Sequence, residues 1–304
     1  MPIKHIVLSG GGPTAFNYIG SLQHLEMSGI LNSNNIESIY GTSAGGMLGV
    51  VLCCKYDWTT IIDYFVKRPW HNAFKITPDD LFNVYTKKGI INQSAIEIVF
   101  KPLFDAKNIP LDITMKGLYE LSGIDLHLFT VELNAFELCD ISHKTYPNLQ
   151  VLTAVHMTSA IPVLFSPVCI DGKCYIDGGL INNYPLTYCL KDHSDVNDIL
   201  AFKNIYNSNY CKIGDDSTVV DMIVSICQNL LKHMNSSNEP TILIPNQINQ
   251  PSEGISAEYF QRALELEEFR RHLIDDGIKT AIEFIKKPLK TEEETPPSAL
   301  HQNQ

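Results

Sequence analysis

Residues 39–47 read IYGTSAGGM, and the interpretation of this stretch decides the fold. A short apolar run stops at Tyr40, the string Gly41-Thr42-Ser43-Ala44-Gly45 follows, and a small-residue helix begins. A GxSxG string between a strand and a helix presents a serine hydroxyl on a sharp turn. That hydroxyl is a weak nucleophile until a positioned base takes its proton, so Ser43 needs a partner from elsewhere in the chain.

Upstream, KHIVLS (4–9) reads as a buried strand. Its glycine turn leads into a helix with Phe16, Ile19, Leu22 and Leu25 at helical spacing, ending near Gly29. The second strand, about 36–40, ends at the serine turn, and the helix from Ala44 to about Cys54 is apolar all round and therefore buried. Two successive β-turn-α units predict a parallel sheet with helices on both faces.

Farther on, WTTIIDYFVK, PDDLFNVY, SAIEIVFKPLF and TMKGLYEL carry helical apolar stripes, and LHLFTVEL and FELCDIS read as a hairpin turning at Asn134-Ala135. A helix over 150–159 precedes the glycine-punctuated strands of IPVLFSPVCIDGKCYIDGG. DILAFKN and TILIP read as strands, while STVVDMIVSICQNLLKHM and SAEYFQRALELEEFRRHLI read as long amphipathic helices. With no internal repeat and no linker, residues 1–286 are expected to form one domain, followed by a polar, disordered tail at 287–304.

The 304-residue chain carries a formal net charge of -11 and no Lys/Arg cluster, which argues against nucleic acid as a partner. Its eight cysteines show neither a CxxC pair nor metal-like spacing and are expected to be reduced thiols. No apolar run approaches the roughly 20 residues of a spanning helix, and the N-terminus lacks signal-peptide features. A cytoplasmic protein, peripheral to membranes at most, is the expectation.

In SGGGPTAF (9–16), three glycines between strand and helix let backbone N–H groups crowd an anion. Gly10, Gly12 and Ala15 fit the GxGxxA of a dinucleotide fold, but that reading needs an acidic residue at the end of the second strand, where Tyr40-Gly41-Thr42-Ser43 stands instead. The other reading is an oxyanion hole at Gly10, Gly11 and Gly12, completed by Ala44. Both turns fall at the carboxyl ends of successive strands and so face one crevice.

For the base, none of the histidines downstream of Ser43 (71, 127, 143, 156, 193, 233, 272 and 301) lies in a glycine-bounded loop at a strand end. Asp177, in YIDGGLINNYP, follows an alternating strand and precedes Gly178-Gly179, so its carboxylate can stand at a strand end with little bulk beside it. Asp171-Gly172, in CIDGKCYID, reads instead as a plain hairpin turn.

The sequence resembles the patatin-like phospholipase family. That family pairs a glycine-rich oxyanion turn, a GxSxG nucleophile and a DGG aspartate as a dyad without histidine. Here the blocks run in order as Gly10–Gly12, Gly41–Gly45 and Asp177–Gly179, supported by AVHMTSAIPVLFSPV, NNYP and GIKTAIEFI, over about residues 4–286. The resemblance implies a three-layer α/β/α sandwich with a mostly parallel central sheet. It also implies lipid acyl hydrolysis of the phospholipase A or lysophospholipase type, without metal or other cofactor, on a lipid or phospholipid substrate met in transient peripheral membrane contact. Thr14 and Ala15 depart from the family's usual basic-then-glycine pair, which puts head-group preference and turnover in question. The alternatives are a catalytically weak lipid-binding or interaction protein on the same scaffold and a histidine-triad hydrolase, the latter tested at His193 and His233. The aromatics of 57–121, Trp58, Phe65, Trp70, Phe74, Phe82 and Phe100, are expected to cover an acyl site. Because a carboxylate ordinarily titrates near 4, the crevice should be desolvated enough to raise the base.

Overall fold

Four strands supply the buried centre. β1 (His5–Leu8), β2 (Ser38–Thr42), β4 (Asp125–Glu132) and β9 (Ile199–Tyr206) carry apolar side chains on both faces, the pattern of a sheet covered on each side. The computed structural model describes residues 2–74, 84–206, 213–219, 221–223, 225–227, 229, 242, 244–253 and 256–287. With β5 (Glu137–Ile141), β7 (Val168–Ile170), β8 (Lys173–Asp177) and β10 (Asn246–Ser252), the central sheet runs β10-β9-β1-β2-β4-β8-β7, with β5 also on β4. The pairings from β10 to β4 are parallel; those of β5, β8 and β7 are antiparallel.

Alternation along the strands separates two cores. Ile6, Leu8, Ile39, Leu126, Leu128, Leu200 and Phe202 face the layer containing α1 (Ala15–Met27) and α2 (Ala44–Cys53). Val7, Tyr40, Phe129, Ile199 and Ala201 face α7 (Leu186–Asp192). The result is a three-layer α/β/α sandwich. The first layer also holds α3 (Trp58–Lys67), α4 (Gln93–Ala106), α5 (Met115–Ser122) and α6 (Val151–Ser159). β3 (Gly89–Ile91) and β6 (Val163–Phe165) form a separate two-stranded sheet.

Near the C-terminus, the apolar period of 256–274 reads as one helix, but the chain breaks it at Leu266 into α8 (Ala257–Glu265) and α9 (Glu267–Lys286). Arg270 explains the break. Its buried guanidinium donates to the carbonyls of Ala263 and Leu264 at the end of α8, and to those of Val66 and Arg68 at the end of α3. These are terminal carbonyls with no intrahelical partner, so one arginine caps two helices. α9 then crosses α1 at contact distance: a Cβ on Gly277 would stand 1.9 Å from the Asn17 carbonyl oxygen.

Two further expectations fail. The last strand is the polar NQINQPS of β10, not TILIP, of which the described Ile242 and Ile244 lie outside any strand; β10 qualifies because alternate residues Ile248, Gln250 and Ser252 turn inward. The cysteines are not all thiols, since Cys169 and Cys174 are disulfide-bonded. The β7–β8 register sets them directly opposite each other, a relation that four intervening residues alone do not reveal. Their turn is the anticipated hairpin, with Asp171 and Gly172 both at positive φ (51° and 77°) as a type I′ turn requires. The tail from 288 onward, Phe82, His233 and most of PDDLFNVY lie outside the described residues. Among those described, no helix is long and apolar enough to cross a membrane.

Candidate active site

β4 brings the site together. β5 occupies one of its edges over Leu128–Glu132. On the other edge β2 pairs up to Thr42 opposite Phe129, and β8, running the opposite way, pairs down to Asp177 opposite Thr130. Two strands thus end head to head on consecutive β4 residues, so the residue after Thr42 and the last residue of β8 become neighbours across 134 positions of chain.

Ser43 caps α2 with φ 54° and ψ -126°. For a side-chain-bearing residue this is a strained backbone, of the kind that collects at functional sites. Surrounding groups hold it there. The Ser43 amide donates to Thr158 Oγ1 (2.9 Å), whose hydroxyl donates to the Phe129 carbonyl (2.5 Å), and Thr42 Oγ1 donates to the Asn182 carbonyl (3.1 Å). Gly41 and Gly45 permit the sharp turn: a Cβ on Gly41 would lie 2.7 Å from Gly46 backbone, and one on Gly45 2.4 Å from the Leu8 carbonyl oxygen.

Asp177 is buried, and Oδ1 accepts the Gly179 amide at 2.7 Å. Gly178 leaves no room for a side chain, its Cβ position being 2.1 Å from the Phe129 carbonyl oxygen. Burial pushes the Asp177 carboxyl up to about 7, against the opposing pull of the Ser43 hydroxyl and the Gly179 amide. The Ser43 hydroxyl is close enough to act on the carboxyl, yet no well-formed hydrogen bond joins the two side chains at rest. Catalytic hydrogen bonds are commonly long before substrate binds.

The glycine turn lies against Ser43, with a Gly10 Cβ position 3.0 Å from Ser43 Cβ. Gly10 departs from its expected role, because its amide donates to the Asn183 carbonyl (3.1 Å) and is occupied. The amides of Gly11, Gly12 and Ala44 show no acceptor among the described residues, and Gly12 and Ala44 open helical turns where such donors have no intrahelical partner. Two asparagines that the sequence reading did not single out fix the turn. Asn204 and Asn183 donate to the Gly10 carbonyl at 2.7 and 2.9 Å, and Tyr18 donates to Asn204 Oδ1. The signal for Asn204 was a buried-strand amide just after the apolar run Ile199–Phe202. Thr14, in the position where a basic residue was expected, is buried and hydrogen-bonds Ser252 at 2.8 Å, tying the turn to β10.

A cavity of about 140 Å³ adjoins Ser43. Phe65, Trp70, Phe74 and Phe100 line it as expected, joined by Phe16, Phe165 and Phe260; among the described residues, the only hydroxyls on its wall belong to Ser43 and Ser159. An engineered cavity of about 150 Å³ with comparable lining stays dry and takes benzene. Trp58 is elsewhere, donating to Glu26. No described histidine bonds to Ser43. Burial alone would lower His127, but the carboxylates of Asp125, 3.3 Å from Nε2, and of Asp140, hydrogen-bonded to Nδ1, carry it up to about 9, and His193 stacks on His5.

The family model described as patatin-like phospholipase matches residues 6–190. The chain is 24% identical over 265 residues to a probable lipid hydrolase, 463L, of Invertebrate iridescent virus 6, covering 80% of this chain and 89% of that one. It is 25% identical over 208 residues to the triacylglycerol lipase ptl3 of Schizosaccharomyces pombe, covering 59% of this chain and 40% of the lipase. Among solved structures, VipD from Legionella pneumophila matches with a TM-score of 0.55 at 19% identity, over 94% of this chain and 67% of that one.

Proposed function

Since the chain belongs to the patatin-like phospholipase family, whose model covers more than half of it, we propose that it hydrolyses carboxylic esters of lipids through a Ser43–Asp177 dyad. Asp177 takes the Ser43 proton as Oγ attacks the ester carbonyl carbon. The amides of Gly11, Gly12 and Ala44 hold the oxyanion, each such donor being worth about 10² to 10³ in rate. Asp177 returns the proton to the departing alkoxide, leaving an acyl-serine. Water, deprotonated by the same carboxylate, then attacks the acyl carbon; Asp177 passes that proton to Ser43 Oγ as the acyl–Oγ bond breaks, releasing the fatty acid and restoring the dyad. The acyl chain occupies the apolar cavity beside Ser43, with phospholipase A or lysophospholipase action as the expected type.

The observation that carries this reading is a buried carboxyl raised to about 7 beside a strained serine at the edge of an apolar cavity. A carboxylate at its ordinary value would be too weak a base. The test is fatty-acid release across phospholipid, lysophospholipid and triacylglycerol panels. Ser43→Ala and Asp177→Asn should each lower kcat by at least about 10³, and retention of hydrolysis in either variant would refute the dyad. A lipid-binding protein without turnover is the second reading, favoured by the open Ser43–Asp177 pair; it requires lipid binding with no release from any panel member.

A further inference from the structure

Because β4 and β8 continue past the head-to-head junction, two hairpin tips project beyond the site. Glu132 lies three residues past Phe129, or about 10 Å at strand rise. Beyond it the β4–β5 tip bears Leu133 and Phe136, 43% and 51% exposed, while β7 bears exposed Ile170. The tips are joined: Leu133 N donates to the Cys174 carbonyl (2.7 Å), Asn134 Nδ2 to the Gly172 carbonyl (3.3 Å), and the Cys169–Cys174 disulfide ties β7 to β8. Large apolar side chains are thus held out to solvent on a braced platform.

We propose that Leu133, Phe136 and Ile170 on the tips form a docking face for a zwitterionic lipid surface. These apolar side chains stand among the exposed charges of Glu137, Asp171 and Lys173 at the end of the sheet where an apolar cavity meets Ser43, and apolar patches rimmed by polar residues mark interaction sites. A net charge of -11 gives an anionic surface nothing to attract, so apolar insertion has to supply the binding. The proposal rests on the lipid-directed reading of the site.

Its test uses the Ser43→Ala chain, which keeps the lipid intact, sedimented with phosphatidylcholine vesicles. Binding should survive about 0.5 M salt, which screens charge but not apolar contact. Leu133→Ser with Phe136→Ser, and separately Ile170→Ser added to that pair, should weaken binding at least tenfold. Phe136→Trp should gain a blue-shifted emission component on vesicle addition. With Ser43 present, the serine variants should hydrolyse a soluble butyrate ester like the parent and vesicle lipid at least tenfold more slowly. Parent-like binding by the serine variants, binding abolished by salt, or a solution dimer that these substitutions dissociate without any vesicle binding would overturn the proposal. Vesicle binding without hydrolysis of any ester would instead refute the dyad and leave the docking face standing.

Discussion

Asp177 is the residue whose chemistry depends most on its surroundings. It must be ionised to accept the Ser43 proton, and burial raises its carboxyl to about 7. On a soluble ester, kcat/KM should therefore rise with pH through a midpoint near 7; a midpoint in the ordinary carboxylate range would mean that the base is not a raised carboxyl. The same burial has a stability consequence. Between the unfolded value near 4 and the folded value near 7, the folded chain keeps a proton that the unfolded chain has lost, so stability falls as pH rises through that window. Asp177→Asn removes a cost of at most about 4 kcal/mol, and its Tm gain over the parent should be larger at about pH 8 than at about pH 5. An equal gain at both pH values would mean that the carboxyl is not raised.

At the scale of elements, Arg270 and Arg271 make a matched pair on α9. Arg270 is buried and donates to carbonyls at the ends of α3 and α8, whereas Arg271 is exposed and pairs with Glu267 one turn away. Orphaned buried carbonyls cost about 1–3 kcal/mol each, so Arg270→Leu should lose at least about 3 kcal/mol in denaturant unfolding. Arg271→Leu, breaking an exposed pair, should lose less than about 1 kcal/mol. Equal losses would reduce Arg270 to a surface charge. α8 carries Phe260, Ala263 and Leu264 on the cavity wall and α3 carries Phe65, so this one cap also fixes two walls of the cavity.

At the scale of the whole molecule, the proposed reaction places the acyl chain in the cavity beside Ser43. Met47, half-buried on α2, lines it one turn from Ser43. Met47→Trp should shift relative kcat/KM toward butyrate over decanoate esters by about tenfold, the scale at which a hydrophobic pocket discriminates size. An unchanged chain-length profile would mean that the acyl group binds elsewhere. Long-range placement was also where sequence reading failed. Gly10 looked like an oxyanion donor because nothing local shows that Asn183, 173 positions away, takes its amide. The α8–α9 break was hidden because apolar periodicity does not register a guanidinium capping the preceding turn. β10 was missed because hydrophobicity pointed to TILIP, while an edge strand buries only every second residue.

The sequence alone determined the chemical groups and their local geometry: a serine on a strand-to-helix turn, an aspartate before two glycines, a glycine-rich turn, and the α/β order that puts such turns at strand ends. These follow from backbone sterics and periodicity over a few residues. Only the tertiary structure decided that β2 and β8 meet on one edge of β4, that Asp177 loses enough water for its carboxyl to be raised, and that apolar side chains line the cavity beside Ser43. Proximity and desolvation depend on neighbours more than a hundred positions away, and no short stretch of chain encodes them by itself.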